Sequence, residues 1–354
     1  MAQMNTAPED GRKSANGGIA YLLVAGIAIA LGVWLWRSHA SFDCRAFAQQ
    51  FRAVSWGRVA LGVACIYAGN WLRALRWSVL LAPVRKTPAL HLLPAQFIGF
   101  TAVGIFGRVA DLARPYLIAR RLHTAVATQI AVYSIERGFD LAAAAILFSA
   151  TLAFSPRNLP HHEAFAHAGA LSLAATLLVT AVALGIRFRG DRLARLAGRA
   201  LHPLSPRVAR AVAARVLDLR EGFRTISTLG EFLTALAISL IMWAGIAGAY
   251  LFSATAFRAS PQLAGFTVAA TMLLLATGMG GSLLQLPVLG WFTQIAVLAA
   301  TLHGFFAVPL ETATACATVV QVVTNLCVIP AGLIAAKIQG VGLRETGSQF
   351  SVDS

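Results

Sequence analysis

The residues able to do chemistry in this chain are charges in apolar company. Glu136, Arg137 and Asp140 lie in AVYSIERGFDLAAAA. Arg108, Asp111 and Arg114 lie in FGRVADLARPYLIARR, with HLLPAQFIGFTAVGI before it and TQIAVYSI after it. Arg73 and Arg76 lie in NWLRALRW. A guanidinium is a planar fork of N–H donors that matches carboxylate and phosphate oxygens two at a time. Glu136 and Asp140, four apart, share one helix face, and Arg137 sits one step round. Such a set supports two readings. One is a structural ion-pair network. The other is a wet cavity in which acids and arginines bind a phosphate-bearing headgroup, a proton or both. The readings are compatible, since Arg108 or Arg114 can pair with Glu136 or Asp140 until a phosphate competes.

No other constellation offers chemistry. There is no GxSxG, no Walker loop, no HExxH and no paired Cys/His site. Glu136 and Asp140 have no nucleophile or metal-ligand set beside them. Cys44, Cys65, Cys316 and Cys327 form no CxxC, and three of them sit inside apolar runs as small hydrophobes. His161, His162 and His167 fall in a short polar loop and read as solvated. The expectation is no catalytic residue, no metal, no cofactor and no enzyme activity.

The elements that must hold these charges are membrane helices. The chain is 58% hydrophobic and 12% charged, with a mean hydropathy of +0.70. A soluble domain of this length could not hide so much apolar surface. The net charge is +15, and Lys appears only at 13, 86 and 337. That Arg-rich balance fits anionic lipid headgroups or phosphate. Nucleic acid is not expected, because no soluble nucleic-acid module is present to carry it.

Apolar runs place spans near 18–36, 57–81, 126–154, 165–187, 231–256 and 312–336, with paired shorter arms at 89–106 and 112–123 and at 262–283 and 289–307. Residues 1–17 read as a disordered polar tail, 18–340 as one integral membrane domain and 341–354 as a second tail. The first span follows the tail with no small-residue cleavage site, so no cleavable signal is expected. The basic stretch after 187 belongs in the cytoplasm. Counting from it puts both termini, PVRK and both ends of 89–123 inside, in a multi-pass inner-membrane protein. Arg37, Arg45, Arg52 and Arg58 flank an outer loop against that bias. The arm 112–123 is too charged to cross lipid, so 89–123 should enter and return as a re-entrant hairpin covered by protein or a wet cavity.

The second half has ATGMGGSLLQLPVLGWFTQ between its arms. Gln285, Pro287, Gly290 and Gln294 are its polar and helix-breaking residues, suited to ligand contact or to polar satisfaction between helices. The arms are either two spans or a hairpin from outside. A hairpin would make span–hairpin–span occur twice in opposite orientations, the pattern of an inverted repeat with a midplane site. The other reading is ordinary Gly/Pro kinks. The fold class is therefore an all-α polytopic membrane protein with about seven to nine membrane segments and one or two re-entrant hairpins. Within 190–227, Ser205–Pro206 starts an amphipathic helix with Val208, Val212, Val216, Leu219 and Phe223 on one face, lying on the inner surface.

Glu136 lies about ten residues into its span, about 15 Å deep at 1.5 Å per residue. Each charge at such depth costs about 2.5–3.5 kcal/mol, so partners or water must compensate. Arg73 lies about 12 Å from the inner end of its span and suits the cavity. Arg76 is nearer that end, where a long side chain can snorkel to the interface. Trp71 and Trp77 read as interfacial or packing aromatics.

These residues carry a resemblance. LRALRW, GRVADLARPYLIARR, SIERGFD and LQLPVLGWFTQ together resemble the flippase-like membrane region of lysylphosphatidylglycerol synthases and their stand-alone homologues, over about 57–340. The chain departs from that family where a Gly-Gly turn and a Glu are common: here stand Val288, Leu289 and Gln294. No aminoacyl-transferase domain is expected after 340. The resemblance implies lipid translocation without lysyl transfer. On that reading Arg108 and Arg114 contact phosphate, Arg73 and Arg137 complete the lining, and Asp111, Glu136 and Asp140 are acidic partners or proton and cation sites. Membrane lipids are the expected partners, with envelope-biosynthesis enzymes or a second copy as further ones. The alternatives are an embedded transferase acting on a lipid carrier and a scaffold for envelope-lipid or polysaccharide enzymes.

Overall fold

The computed structural model describes residues 42–153, 162–201, 205, 206, 208, 212, 228–282 and 289–340; a few side chains within those ranges, Arg108 among them, lie outside that description. The two tails, the span 18–36, most of 207–227 and the pair Gln285 and Pro287 also lie outside it.

Twelve helices and no strand occur among the described residues. They are α1 (Cys44–Gln50), α2 (Trp56–Leu81), α3 (Ala89–Phe106), α4 (Ala113–Leu122), α5 (Val126–Ala153), α6 (His162–Leu201), α7 (Leu229–Thr255), α8 (Pro261–Ala264), α9 (Val268–Ser282), α10 (Leu289–Phe306), α11 (Leu310–Gln321) and α12 (Val328–Ile338). The chain is an all-α polytopic membrane protein. Among the described residues, three stretches are long and apolar enough to cross a bilayer by length and composition: α3, α7 and the rod Leu310–Ile338.

The first broken pair doubles back on itself. Gly107 ends α3 with φ 75°, a conformation that favours glycine, and a 3-10 turn over Arg108–Leu112 redirects the chain into α4. The far ends meet again, where Arg85 donates to the Leu122 carbonyl. Gly99 makes the close approach possible. A Cβ there would stand 2.7 Å from the Cβ of Arg114. Gly332 does the same for α3 against α12, facing Thr101 and the Phe97 carbonyl.

The second broken pair packs likewise, with Gly278 of α9 against Leu298 of α10. The interruption between them falls outside the described residues. Its edge meets the tip of the first pair: Trp291 Nε1 donates to the Gly104 carbonyl at 2.7 Å, satisfying one of the orphan carbonyls at the end of α3.

Helices α2 and α7 run antiparallel along their length. Arg58 donates to the Thr255 carbonyl at one end, Gly62 faces Ala249 and Ser253, Gly69 faces Met242, and Arg76 reaches Ser239 at the other end. The order helix, broken pair, helix thus occurs twice, and the leading helices point opposite ways. This is the arrangement an inverted repeat requires. Two apolar clusters pack the halves, one around Trp77, Ile98 and Ile118, the other around Met242, Leu274 and Val320.

Three elements differ from the sequence expectation. The span ending at 187 continues as helix to Leu201 through a kink at Arg189 (φ −130°, ψ 25°), so the basic segment begins as an extension of a membrane helix. The arm 262–283 is shorter than expected, because Gly265 stops α8 and Thr267 caps a new start, its hydroxyl accepting from the Ala270 N–H at 3.2 Å. The loop after the first span contains α1, capped by Asp43, which accepts from the Arg45 and Ala46 amides. Ser205 caps as expected, its hydroxyl accepting from the Val208 N–H at 3.4 Å.

Gly99→Val should wedge α3 from α4 and cost about 1–3 kcal/mol, read as a lower midpoint of thermal unfolding in detergent. Gly138→Ala, where an added Cβ meets nothing within 4 Å, should be neutral or stabilising in the same assay.

Candidate functional site

Helical spacing sets the site. On α2, Arg73 and Arg76 are three apart. On α5, Glu136 and Asp140 are four apart. On α7, Ser239 and Trp243 are four apart. Each pair projects from one face, and the three faces converge.

Glu136 is fully buried and is the hub. Its Oε1 accepts from Arg76 Nη2 at 2.8 Å and from Arg114 Nη1 at 3.3 Å; its Oε2 accepts from Arg114 Nη2 at 2.6 Å. Asp140 Oδ1 accepts from Arg76 Nη1 at 2.7 Å and from Trp243 Nε1 at 3.3 Å. Arg76 Nη1 also donates to Ser239 Oγ at 2.7 Å, and Arg114 Nη1 to Gln96 Oε1 at 2.8 Å. Aromatic faces of Trp77, Phe100 and Tyr133 stand 5.2–5.4 Å from the Arg114 guanidinium. One carboxylate pair therefore ties α2, α4, α5 and α7 together, with α3 joined through Gln96.

The other two arginines are held less fully. Arg73 approaches Glu136 only to 4.0 Å, and its guanidinium lies over the Phe100 ring at 4.3 Å. Among the described residues it makes no hydrogen bond, and its Nε is buried without a partner. Arg137 is 3.1 Å from Asp140 Oδ2 and 3.7 Å from Glu136 Oε2, but the angles form no hydrogen bond, and its side chain is 36% exposed.

Beside this network is a cavity of about 250 Å³. Arg73, Arg137, Asp140 and Asp111 form its charged wall. Asp111 lies close to Tyr133. Across from them stand Tyr250, Gln294, Thr324 and Asn325, from the second half of the chain. Gln294 and Tyr250 are both buried. Thr324 and Asn325 belong to a π turn, Val322–Leu326, that separates α11 from α12. Pro330, which has no N–H, follows it, and Tyr67 donates to the Cys327 carbonyl at 2.8 Å. The turn widens the helix and brings two polar side chains to the cavity.

The placement of the expected residues is uneven. Arg73, Arg137, Asp111, Asp140 and Gln294 are brought to the cavity. Arg114 and Glu136 sit behind its wall, bound to each other. Gly290 is buried at the start of α10. The Arg108 side chain, Gln285 and Pro287 lie outside the described residues. Arg76 is a correction: it does not snorkel but is fully buried, because both an acid pair and Ser239 meet it there. Its spacing from Arg73, on a helix with no acid of its own, was the available signal. Ser239, Trp243, Gln96 and Tyr133 were missed. Each is a lone polar group in an apolar run, and only the fold supplies its partner. Trp77 is buried against Arg114, whereas Trp71 is exposed.

Glu136→Gln removes the main counter-charge of two buried guanidinium groups and should cost about 3–5 kcal/mol. Arg73→Ala breaks no hydrogen bond and should cost no more than about 1 kcal/mol. Thermal unfolding of the two purified variants checks the order; equal stability would contradict the hub.

A family model described as the lysylphosphatidylglycerol synthase TM region matches residues 23–332. No curated protein and no solved structure matches the chain.

Proposed function

We propose a lipid-translocating function from one premise: the chain belongs to the lysylphosphatidylglycerol synthase TM-region family. The protein is read as a flippase-like transporter of the inner membrane, with both termini cytoplasmic. It moves a phospholipid or lipid-linked headgroup through the polar cavity while the acyl tails stay in lipid. The observation that carries this reading is the cavity itself, a half-open charged pocket among apolar helices, lined from both halves of the chain. Polar walls at such a place are costly in a bilayer and mark substrate paths. The two broken pairs are read as re-entrant hairpins, their tips joined through Trp291 and Gly104.

The roles divide by how each arginine is held. Arg76 and Arg114 are positioning residues, saturated by Glu136, Asp140, Ser239 and Gln96. Arg73 and Arg137 are the groups that meet phosphate, because their donors are unspent. Movement of the headgroup requires the two halves to part on alternate sides, and the antiparallel α2–α7 contact is the axis about which they would rock.

The test is transbilayer movement of a fluorescent phospholipid in vesicles containing the purified protein. Arg73→Ala should slow it about tenfold or more while the protein stays monodisperse. Equal rates in protein-free vesicles and in vesicles with the parent protein would overturn the transport reading. Turnover of the lipid into a new product would favour the transferase.

A further inference from the structure

The cavity has an imbalance that bears on which headgroup it takes, and the inference rests on the lipid-handling reading above. Four guanidinium groups, those of Arg73, Arg76, Arg114 and Arg137, are gathered around three carboxylates, those of Asp111, Glu136 and Asp140. The cluster therefore carries a surplus of positive charge among the described residues. Two of the acids are also occupied. Both Glu136 oxygens accept from arginine, Asp140 Oδ1 accepts from Arg76 and Trp243, and Asp140 Oδ2 stands 3.1 Å from Arg137 Nη2. The arginines of the charged wall keep unspent donors. The two terminal nitrogens of Arg73 make no hydrogen bond and are not closed off, and Arg137 makes none either.

The facing wall is different in kind. It is neutral and able to accept hydrogen bonds. Asn325 Nδ2 is spent on Gln321 Oε1 at 3.1 Å and Thr324 Oγ1 at 2.9 Å, which leaves its Oδ1 toward the cavity. One wall thus asks for an anion and the other for hydroxyl donors.

We propose that the cavity selects a lipid whose headgroup is an anionic phosphodiester carrying uncharged hydroxyls, and that it rejects headgroups bearing a cationic amine. The phosphate lies between Arg73 and Arg137, and the hydroxyls face Asn325. A cationic group would meet a surplus of like charge. A cavity of about 250 Å³ has room for a small polyol phosphate.

The experiment is competitive lipid binding to the purified full-length chain in neutral detergent, read by native mass spectrometry. The probes are phosphatidylglycerol, lysyl-phosphatidylglycerol, phosphatidylcholine and phosphatidic acid at equal concentration. Phosphatidylglycerol should be retained about tenfold over the two amine-bearing lipids, a difference of about 1.4 kcal/mol, and also over phosphatidic acid, which lacks the hydroxyls. Arg73→Ala should bring all four to parity. That variant breaks no hydrogen bond, so it remains folded enough to read. Preference for lysyl-phosphatidylglycerol, or selectivity unchanged in Arg73→Ala, would overturn the proposal. Displacement of the lipid by soluble glycerol phosphate or inorganic phosphate would overturn the lipid as the source of the anion. Selective binding without transbilayer movement would defeat the transport reading and leave this site standing. Movement with no preference would do the reverse.

Discussion

The structure depends on one buried carboxylate. Glu136 stands deep in an apolar helix, where an isolated charge would be expelled, and it is tolerated because Arg76 and Arg114 close on it from two other helices. Removing either side of that exchange leaves the other uncompensated. The hub therefore does more than join α2, α4 and α5. It fixes the angle at which α4 returns along α3, it sets Phe100 beneath Arg73, and through Asp140 and Trp243 it reaches the helix that opens the second half. The charged wall of the cavity is the outer edge of this buried network.

That division explains why four arginines in one cluster have different duties. A guanidinium that spends its fork on carboxylates has little left for a ligand. Arg76 and Arg114 are in that state. Arg73 rests on an aromatic face and approaches its nearest acid only to 4.0 Å, so it keeps its charge and its donors. The opposite wall comes from a π turn, a local widening that helices adopt at functional sites. Two halves with unlike walls, one ionic and one neutral, line a single half-open pocket.

Much of this was legible in the sequence, and the limits are physical. Apolar run lengths and Gly/Pro breaks gave α2, α3, α4, α5 and α7 to within a few residues, because a bilayer fixes how long an apolar segment must be. The i,i+4 pair Glu136 and Asp140 was readable as a shared face. Partner choice was not. Arg76 looked able to snorkel because depth along a helix was the only measure available, and nothing in NWLRALRW says that α5 and α7 close over it. Ser239 and Trp243 gave no sign, since a lone hydroxyl or indole in an apolar helix is ordinary. The π turn was hidden too. The Tyr67 hydroxyl that meets the Cys327 carbonyl beside it lies on another helix.

The central claim is that Arg73 and Arg137 present unspent donors to an anionic lipid headgroup while Glu136 holds the wall behind them. An experimental structure of the protein in a bilayer containing phosphatidylglycerol tests this most directly. The account predicts headgroup density in the cavity, with phosphate oxygens within hydrogen-bonding distance of Arg73 or Arg137 and with Glu136 still bridging Arg76 and Arg114. A lipid-free cavity, or a phosphate bound to Arg114 with Glu136 released, would contradict it.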